Sequence, residues 1–193
     1  CHRFIEISEF YYCCCGKMLN ISDIARDADI SQKQAKDWLG ILETLGIIFY
    51  LHPYSNNLLK RLVKTPKLYF YDMGLVCYLT KWSSAETLES GAMNGAVLEN
   101  YVVAEIMKTY LNSGKEPFMY YYRDKDAKEI DIVLEHDGVL NPLEIKKSSN
   151  PGTELVKVFD LLDKSSTPRS KGAVLCMKPE LSAIDRDNYI IPI

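Results

Sequence analysis

Residues 129–146 read EIDIVLEHDGVLNPLEIK, and this stretch decides the fold. Apolar residues alternate with charged ones up to Glu135, and a second apolar-rich stretch ends at Lys146. Between them lies Asp137-Gly138, a pair typical of a tight turn that joins two antiparallel strands. The stretch therefore predicts a β-hairpin.

Three charged side chains of this hairpin are candidate catalytic residues: Asp131, Glu144 and Lys146. Because side chains alternate across a strand, Glu144 and Lys146 share one face, and Leu143 and Ile145 share the other. Two carboxylates and an ammonium on neighbouring strands can bind a hard divalent cation and orient an attacking water. The alternative is that Glu144 and Lys146 only form a solvated, charged face.

Glu99 is a fourth candidate, on a predicted helix upstream of the hairpin. Residues 95–108 have helical apolar spacing, with Asn94 as a possible N-cap and Gly114 beyond the end. Glu99 lies on the apolar face, where a carboxylate is costly unless a metal ion or a buried partner compensates it. Alternatively, Glu99 lies at the edge of that face and reaches water. Glu129 shares the side of Asp131 and is a further candidate.

The remaining elements of this half follow from similar patterns. Residues 118–123 form an aromatic strand, and Ala173–Met177 is a short apolar run that suits a buried strand, with one more possible at 189–191. An amphipathic helix is predicted from four apolar residues with helical spacing: Leu155, Val158, Phe159 and Leu162. The order is helix, three strands, helix, strand.

The first eighty residues predict two short helices and a two-stranded wing, the order of a winged helix. We expect Ser22 to cap the first helix and Ser31 to cap the second, which runs from Gln32 to Leu45 with Trp38 on its inner face. Strands are expected at 47–51 and 67–71. Six basic residues are candidates for nucleic-acid phosphates: Lys33, Lys36, Lys60, Arg61, Lys64 and Lys67. The same fold also serves as a protein–protein module, which remains the alternative.

Composition limits the possible classes. The chain has 193 residues, 47% of them hydrophobic, enough for one or two domains. Its net charge of -3 argues against a general polyanion binder. Six cysteines, three of them consecutive and none in a Cys-x-x-Cys pair, indicate reduced thiols and no zinc site. We find no signal peptide or membrane span, and expect a cytoplasmic protein without a membrane partner.

Four motifs occur in order: K-x-Y-F-x-D-x-G-L at 67–75, E-N-Y-V at 99–102, E-I-D at 129–131 and E-I-K at 144–146. With them the chain resembles the C-terminal half of a family of bacterial and archaeal AAA-type ATPases. In that family a P-loop ATPase domain precedes a winged helix and a restriction-endonuclease-like, PD-(D/E)xK, domain of unknown function.

The resemblance implies a mixed α/β fold, with a winged-helix domain at 1–80 and a restriction-endonuclease-like αβββαβ core at 81–193. It implies Mg²⁺ or Mn²⁺ held by Asp131 and Glu144, with Lys146 and Glu99 completing the catalytic set. The expected activity is metal-dependent phosphodiester hydrolysis of DNA. The alternative is a non-catalytic module that binds DNA or protein and regulates the ATPase.

One departure from the family concerns ATP. The chain contains no G-x-x-x-x-G-K-[ST] motif, and Gly16-Lys17 follows three cysteines and precedes Met18. We therefore expect a C-terminal piece that lacks its ATPase domain, has that domain as a partner and does not hydrolyse ATP by itself.

Overall fold

The computed structural model describes residues 16–55 and 65–193. Its internal contacts divide the chain into two compact units. The first comprises Cys1–Tyr50 and Thr65–Lys108, and the second comprises Leu51–Lys64 and Thr109–Ile193. The mixed α/β class expected from the sequence is confirmed.

The first unit is mostly helical, with one small antiparallel sheet formed by two strands. Its elements are α1 (Ile21–Asp27), α2 (Gln32–Thr44), β1 (Ile48–Leu51), β2 (Lys67–Phe70), α3 (Met73–Leu79), α4 (Ala85–Ser90) and α5 (Asn94–Asn112), of which the last four residues belong to the second unit.

Local chain chemistry explains where α2 begins and ends. Ser31 caps it in a reciprocal capping box with Gln34, as its position predicted. Gly46, with φ of +66°, takes the left-handed conformation that follows the helix end. The cap expected for α1 was wrong: Asn20, not Ser22, accepts the free N–H groups of the first turn.

The core of the first unit joins α1 and α2 to the small sheet. Leu39, Ile48, Phe70 and other apolar residues form one buried cluster. Trp38 was expected on the inner face of α2 but is 42% exposed, because Ala35 and Leu39, four residues apart, occupy the centre of that face.

Asn100 connects α5 to β2. Its side chain is fully buried, accepts the N–H of Phe70 at 2.9 Å and donates to the Phe70 carbonyl at 2.9 Å. We expect Asn100→Ala to lower the free energy of unfolding by roughly 2–4 kcal/mol, because two buried backbone groups lose their partners. Urea unfolding measures this, with Asn112→Ala at the exposed end of the same helix as the control. Equal losses in the two variants would contradict the connecting role.

The second unit is built on a six-stranded mixed sheet. Its strands are β3 (Met119–Arg123), β4 (Glu129–His136), β5 (Val139–Lys146), β6 (Gly172–Cys176), β7 (Ser182–Ala183) and β8 (Asn188–Pro192). The order across the sheet is β3-β4-β5-β6-β8-β7. The pairs β5–β6 and β6–β8 are parallel, and the others are antiparallel.

The hairpin predicted at 129–146 is confirmed as β4 and β5. Its turn residues Asp137 and Gly138 have φ values of 49° and 75°, the left-handed conformations of a tight hairpin turn. β3 is an edge strand of the sheet. Its residue Tyr121 donates its N–H to the His52 carbonyl and accepts the Tyr54 N–H, so the 52–54 segment covers this edge.

The predicted amphipathic helix is present, but it is wound more tightly than an α-helix. Thr153–Lys164 is a 3-10 helix, labelled η1, and it buries Val156, Phe159 and Leu162. Their spacing of three matches the three residues per turn of a 3-10 helix. Leu155 and Val158, expected on the buried stripe, are only partly buried.

The domain boundary expected after residue 80 stays a prediction. The Asn100–Phe70 hydrogen bonds associate most of α5 with the first unit, whereas Leu51–Lys64 is counted in the second. Cys77 and Cys176 are free thiols, and the other four cysteines lie outside the described residues. Among the described helices, none has the length and apolar composition needed to cross a bilayer.

Candidate functional site

The hairpin brings three predicted site residues together. Ile132 of β4 lies opposite Leu143 of β5, so the next pair along the ladder is Asp131 and Glu144. The Lys146 Nζ atom lies 3.0 Å from Glu144 Oε2 and 3.6 Å from Asp131 Oδ2. We call these three residues the acid–lysine cluster.

The cluster borders the buried apolar core of the second unit. Glu144 is in register with Val174 and Lys146 with Cys176, both of β6. Val174 and Cys176 belong to the buried cluster that includes Phe159 of η1. As a result the Glu144 side chain is only 6% exposed, whereas that of Lys146 is 38% exposed.

The backbone of β5 holds Asp131 in place. The Ile145 N–H donates to Asp131 Oδ2 at 2.9 Å, a buried hydrogen bond across the two strands. The side chain of Asp131 is 13% exposed. Since the donor is a strand backbone group, the carboxylate orientation is set by the sheet and not by a flexible neighbour.

The pKa of Glu144 is raised from its ordinary value of 4.5 to about 8. Burial is the main cause and the negative charge of Asp131 the next, while Lys146 opposes both effects. Glu144 therefore retains its proton at neutral pH in the absence of a cation. Its Oε1 atom is buried and has no hydrogen-bond partner, an arrangement that is costly for a polar atom.

This donor set fits a divalent cation. A buried carboxylate oxygen without a partner and a second carboxylate on the adjacent strand suit a hard cation, and Mg²⁺ is commonly held by one or two carboxylates plus water. Within 16–55 and 65–193, no group of three or more His, Cys, Asp or Glu residues is placed to bind a metal ion. The assignment of Asp131, Glu144 and the Ile145 carbonyl as metal ligands stays a prediction.

Glu99 has partners within the first unit. Its Oε1 atom accepts a hydrogen bond from the Tyr69 hydroxyl at 2.7 Å and pairs with Lys67 Nζ at 3.2 Å. This pairing offsets the cost of a carboxylate on the apolar face of α5. The catalytic role of Glu99 stays a prediction. Tyr69 had no sequence signal, because it lies thirty positions away from Glu99.

Glu129, the further acidic candidate, forms an ion pair with Arg123 on β3. Its Oε2 atom lies 2.9 Å from Arg123 Nη1, and the two residues are in register across the strands.

The six candidate phosphate contacts separate into three groups. Lys33 and Lys36 are exposed on α2. Lys60, Arg61 and Lys64 lie outside the described residues. Lys67 is 2% exposed and paired with Glu99, because β2 is buried along its length, and its contact with a phosphate stays a prediction.

Two family models match the chain. One, described as Domain of unknown function (DUF8612), matches residues 2–86. The other, described as Domain of unknown function (DUF4143), matches residues 94–193, which include the acid–lysine cluster.

Two curated relatives are similar to this chain: Uncharacterized protein Mb2031c of Mycobacterium bovis and Uncharacterized protein Rv2008c of Mycobacterium tuberculosis. Each is 28% identical over 136 residues, which cover 70% of this chain and 30% of the relative. The chain thus spans less than a third of these relatives. No solved structure matches it.

Proposed function

The chain belongs to the family described as Domain of unknown function (DUF4143), and we propose that its second unit is a metal-dependent phosphodiesterase that cleaves DNA. The observation that carries this proposal is the convergence of two carboxylates and one ammonium on adjacent strands. Lys146 Nζ lies 3.0 Å from Glu144 Oε2 and 3.6 Å from Asp131 Oδ2. These groups are the ones that phosphodiester hydrolysis with a hard cation requires.

Each cluster residue has a distinct part in the proposed reaction. Asp131, fixed by the Ile145 N–H, and Glu144, with its unpartnered Oε1, would hold Mg²⁺ or Mn²⁺. When bound, the cation supplies charge stabilisation and a more acidic water. Lys146, the most exposed of the three, orients the attacking water and offsets the charge that develops on the phosphate oxygens.

The order of the elements along the chain supports a finer assignment. The order α5, β3, β4, β5, η1, β6 is that of the αβββαβ core of restriction-endonuclease-like nucleases. The order α1, α2, β1, β2 is that of a winged helix. On the resemblance described above, we further propose that these units act in the cytoplasm together with an AAA-type ATPase domain.

The test is cleavage of plasmid, single-stranded and branched DNA with Mg²⁺ or Mn²⁺. We expect Lys146→Ala to reduce the cleavage rate by roughly 100-fold, because a preorganised charge at the transition state is lost. The control is Lys157→Ala, which removes an exposed lysine from η1. Equal rates for wild type and Lys146→Ala would assign the cleavage to another site or to a contaminant.

A non-catalytic module that binds protein or DNA is the second candidate. The exposed apolar side chains of Trp38 and Ile41 on α2, and of Leu45 directly after it, favour it, since they suit a protein partner better than a phosphate backbone. Calorimetry with Mn²⁺ separates the two functions. A micromolar site that disappears in Asp131→Asn supports the phosphodiesterase, and binding no tighter than millimolar supports the module.

A further inference from the structure

The strand directions place several loops at one end of the six-stranded sheet. β5 and β6 are parallel and β4 is antiparallel to β5, so the start of β4 lies beside the ends of β5 and β6. The acid–lysine cluster lies at this end, since Lys146 is the last residue of β5. In open α/β sheets, ligands bind outside the carboxyl ends of parallel strands.

A row of lysines crosses this end. Lys128 immediately precedes β4, Lys147 immediately follows β5 and Lys178 lies two residues beyond β6. We call these three residues the basic row. Neighbouring strands are about 4.8 Å apart, so the row extends across roughly 10 Å of the sheet end. The acid–lysine cluster lies within this span, between Lys128 and Lys178.

The loop after β5 has the composition of a phosphate-binding segment. Residues 147–153, the last of which begins η1, read KSSNPGT, with a lysine, two serines and a threonine, and Glu154 follows them. Its backbone is ordered by the Asn150 N–H, which donates to Ser148 Oγ at 3.0 Å. Hydroxyl and amide groups next to an ammonium are the usual donors to phosphate oxygens.

The acidic residues at this end are partly engaged elsewhere. Five lie outside the cluster: Asp124, Asp126, Glu129, Glu154 and Glu180. Asp124 Oδ1 accepts the N–H groups of Asp126 and Lys128, each at 2.9 Å, and so holds the β3–β4 turn. Glu129 is paired with Arg123 at 2.9 Å. Both pairings reduce the negative field that a bound polyanion would meet.

We propose that the basic row and the 147–153 loop bind the phosphate backbone of a nucleic-acid strand on both sides of the acid–lysine cluster. This inference rests on the proposed function and gives the second unit its own binding site for the substrate. It differs from the earlier expectation, which placed the phosphate contacts in the winged-helix region at 1–80.

Binding is measured by fluorescence anisotropy of labelled DNA with the whole chain, in EDTA so that no cleavage occurs. One arm uses a single strand, and the other uses a duplex. Lys147→Gln combined with Lys178→Gln should lower the slope of log affinity against log salt by about 1.5, since each lost phosphate contact contributes about 0.7–0.9. The affinity should fall about tenfold at moderate salt.

The matched control is Lys171→Gln, which precedes β6 at the opposite end of the sheet and contacts the Tyr189 ring and hydroxyl. It should leave the slope unchanged, and Lys147→Arg should retain wild-type binding. Circular dichroism checks that each variant is folded. The proposal is overturned if neither DNA form binds, if the double variant binds like wild type, or if Lys171→Gln lowers the slope equally.

The outcomes separate this inference from the proposed function. If Asp131→Asn abolishes cleavage but the substitutions in the basic row leave DNA binding unchanged, only the further inference is overturned. Binding that depends on the basic row, without any cleavage, overturns the phosphodiesterase alone.

Discussion

Asp131→Asn is expected to reduce cation-dependent DNA cleavage by about 1,000-fold, with little change in stability. The asparagine oxygen can still accept the Ile145 N–H that now reaches Asp131 Oδ2 at 2.9 Å, so the strand geometry is retained. The negative charge is lost, and with it the second anionic ligand for the cation. Removing one preorganised charge from a buried site commonly costs factors of this size.

The measurement is the initial rate of plasmid cleavage at saturating Mn²⁺. Asp126→Asn is the matched control, because it makes the same chemical change in the exposed turn between β3 and β4 at the same end of the sheet. If Asp131→Asn cleaves DNA as fast as the control does, Asp131 is not a metal ligand and the proposed site is wrong.

Glu144→Gln is expected to stabilise the protein at neutral pH. In the folded protein the pKa of Glu144 is raised to about 8, mainly by burial and then by Asp131, against an ordinary value of 4.5. Between these two pH values the unfolded chain has released this proton and the folded chain still holds it. The stabilisation that comes from the raised pKa of Glu144 is therefore complete below about pH 4.5 and is lost progressively until pH 8.

Glutamine resembles the protonated acid and does not ionise, so the stability of the variant does not decrease between pH 4.5 and pH 8 for this reason. At pH 7 it should exceed the wild type by roughly 3 kcal/mol in free energy of unfolding, at about 1.36 kcal/mol per unit of pKa shift. Urea unfolding in EDTA from pH 4 to pH 9 measures the difference. Mn²⁺ should stabilise the wild type but not the variant. Parallel pH profiles for the two proteins would show that Glu144 ionises normally.

Sequence alone determined the features that depend on neighbours along the chain. The Asp137-Gly138 turn, the strands on both sides of it and the Ser31 cap each depend on a few neighbouring residues, and each appears where it was expected. The adjacency of Asp131 and Glu144 also followed from the sequence, because a tight turn fixes the register of the two antiparallel strands that it joins.

Only the tertiary structure decided how those residues are surrounded. Glu144 is buried because β6, thirty positions further along, places Val174 beside it. Lys67 is paired with Glu99 because β2 and α5 belong to the same unit. Local patterns set turns, caps and periodicity through short-range sterics and hydrogen bonds. Burial, and with it the charge state of a carboxyl group, depends on partners distant in sequence that no local pattern identifies.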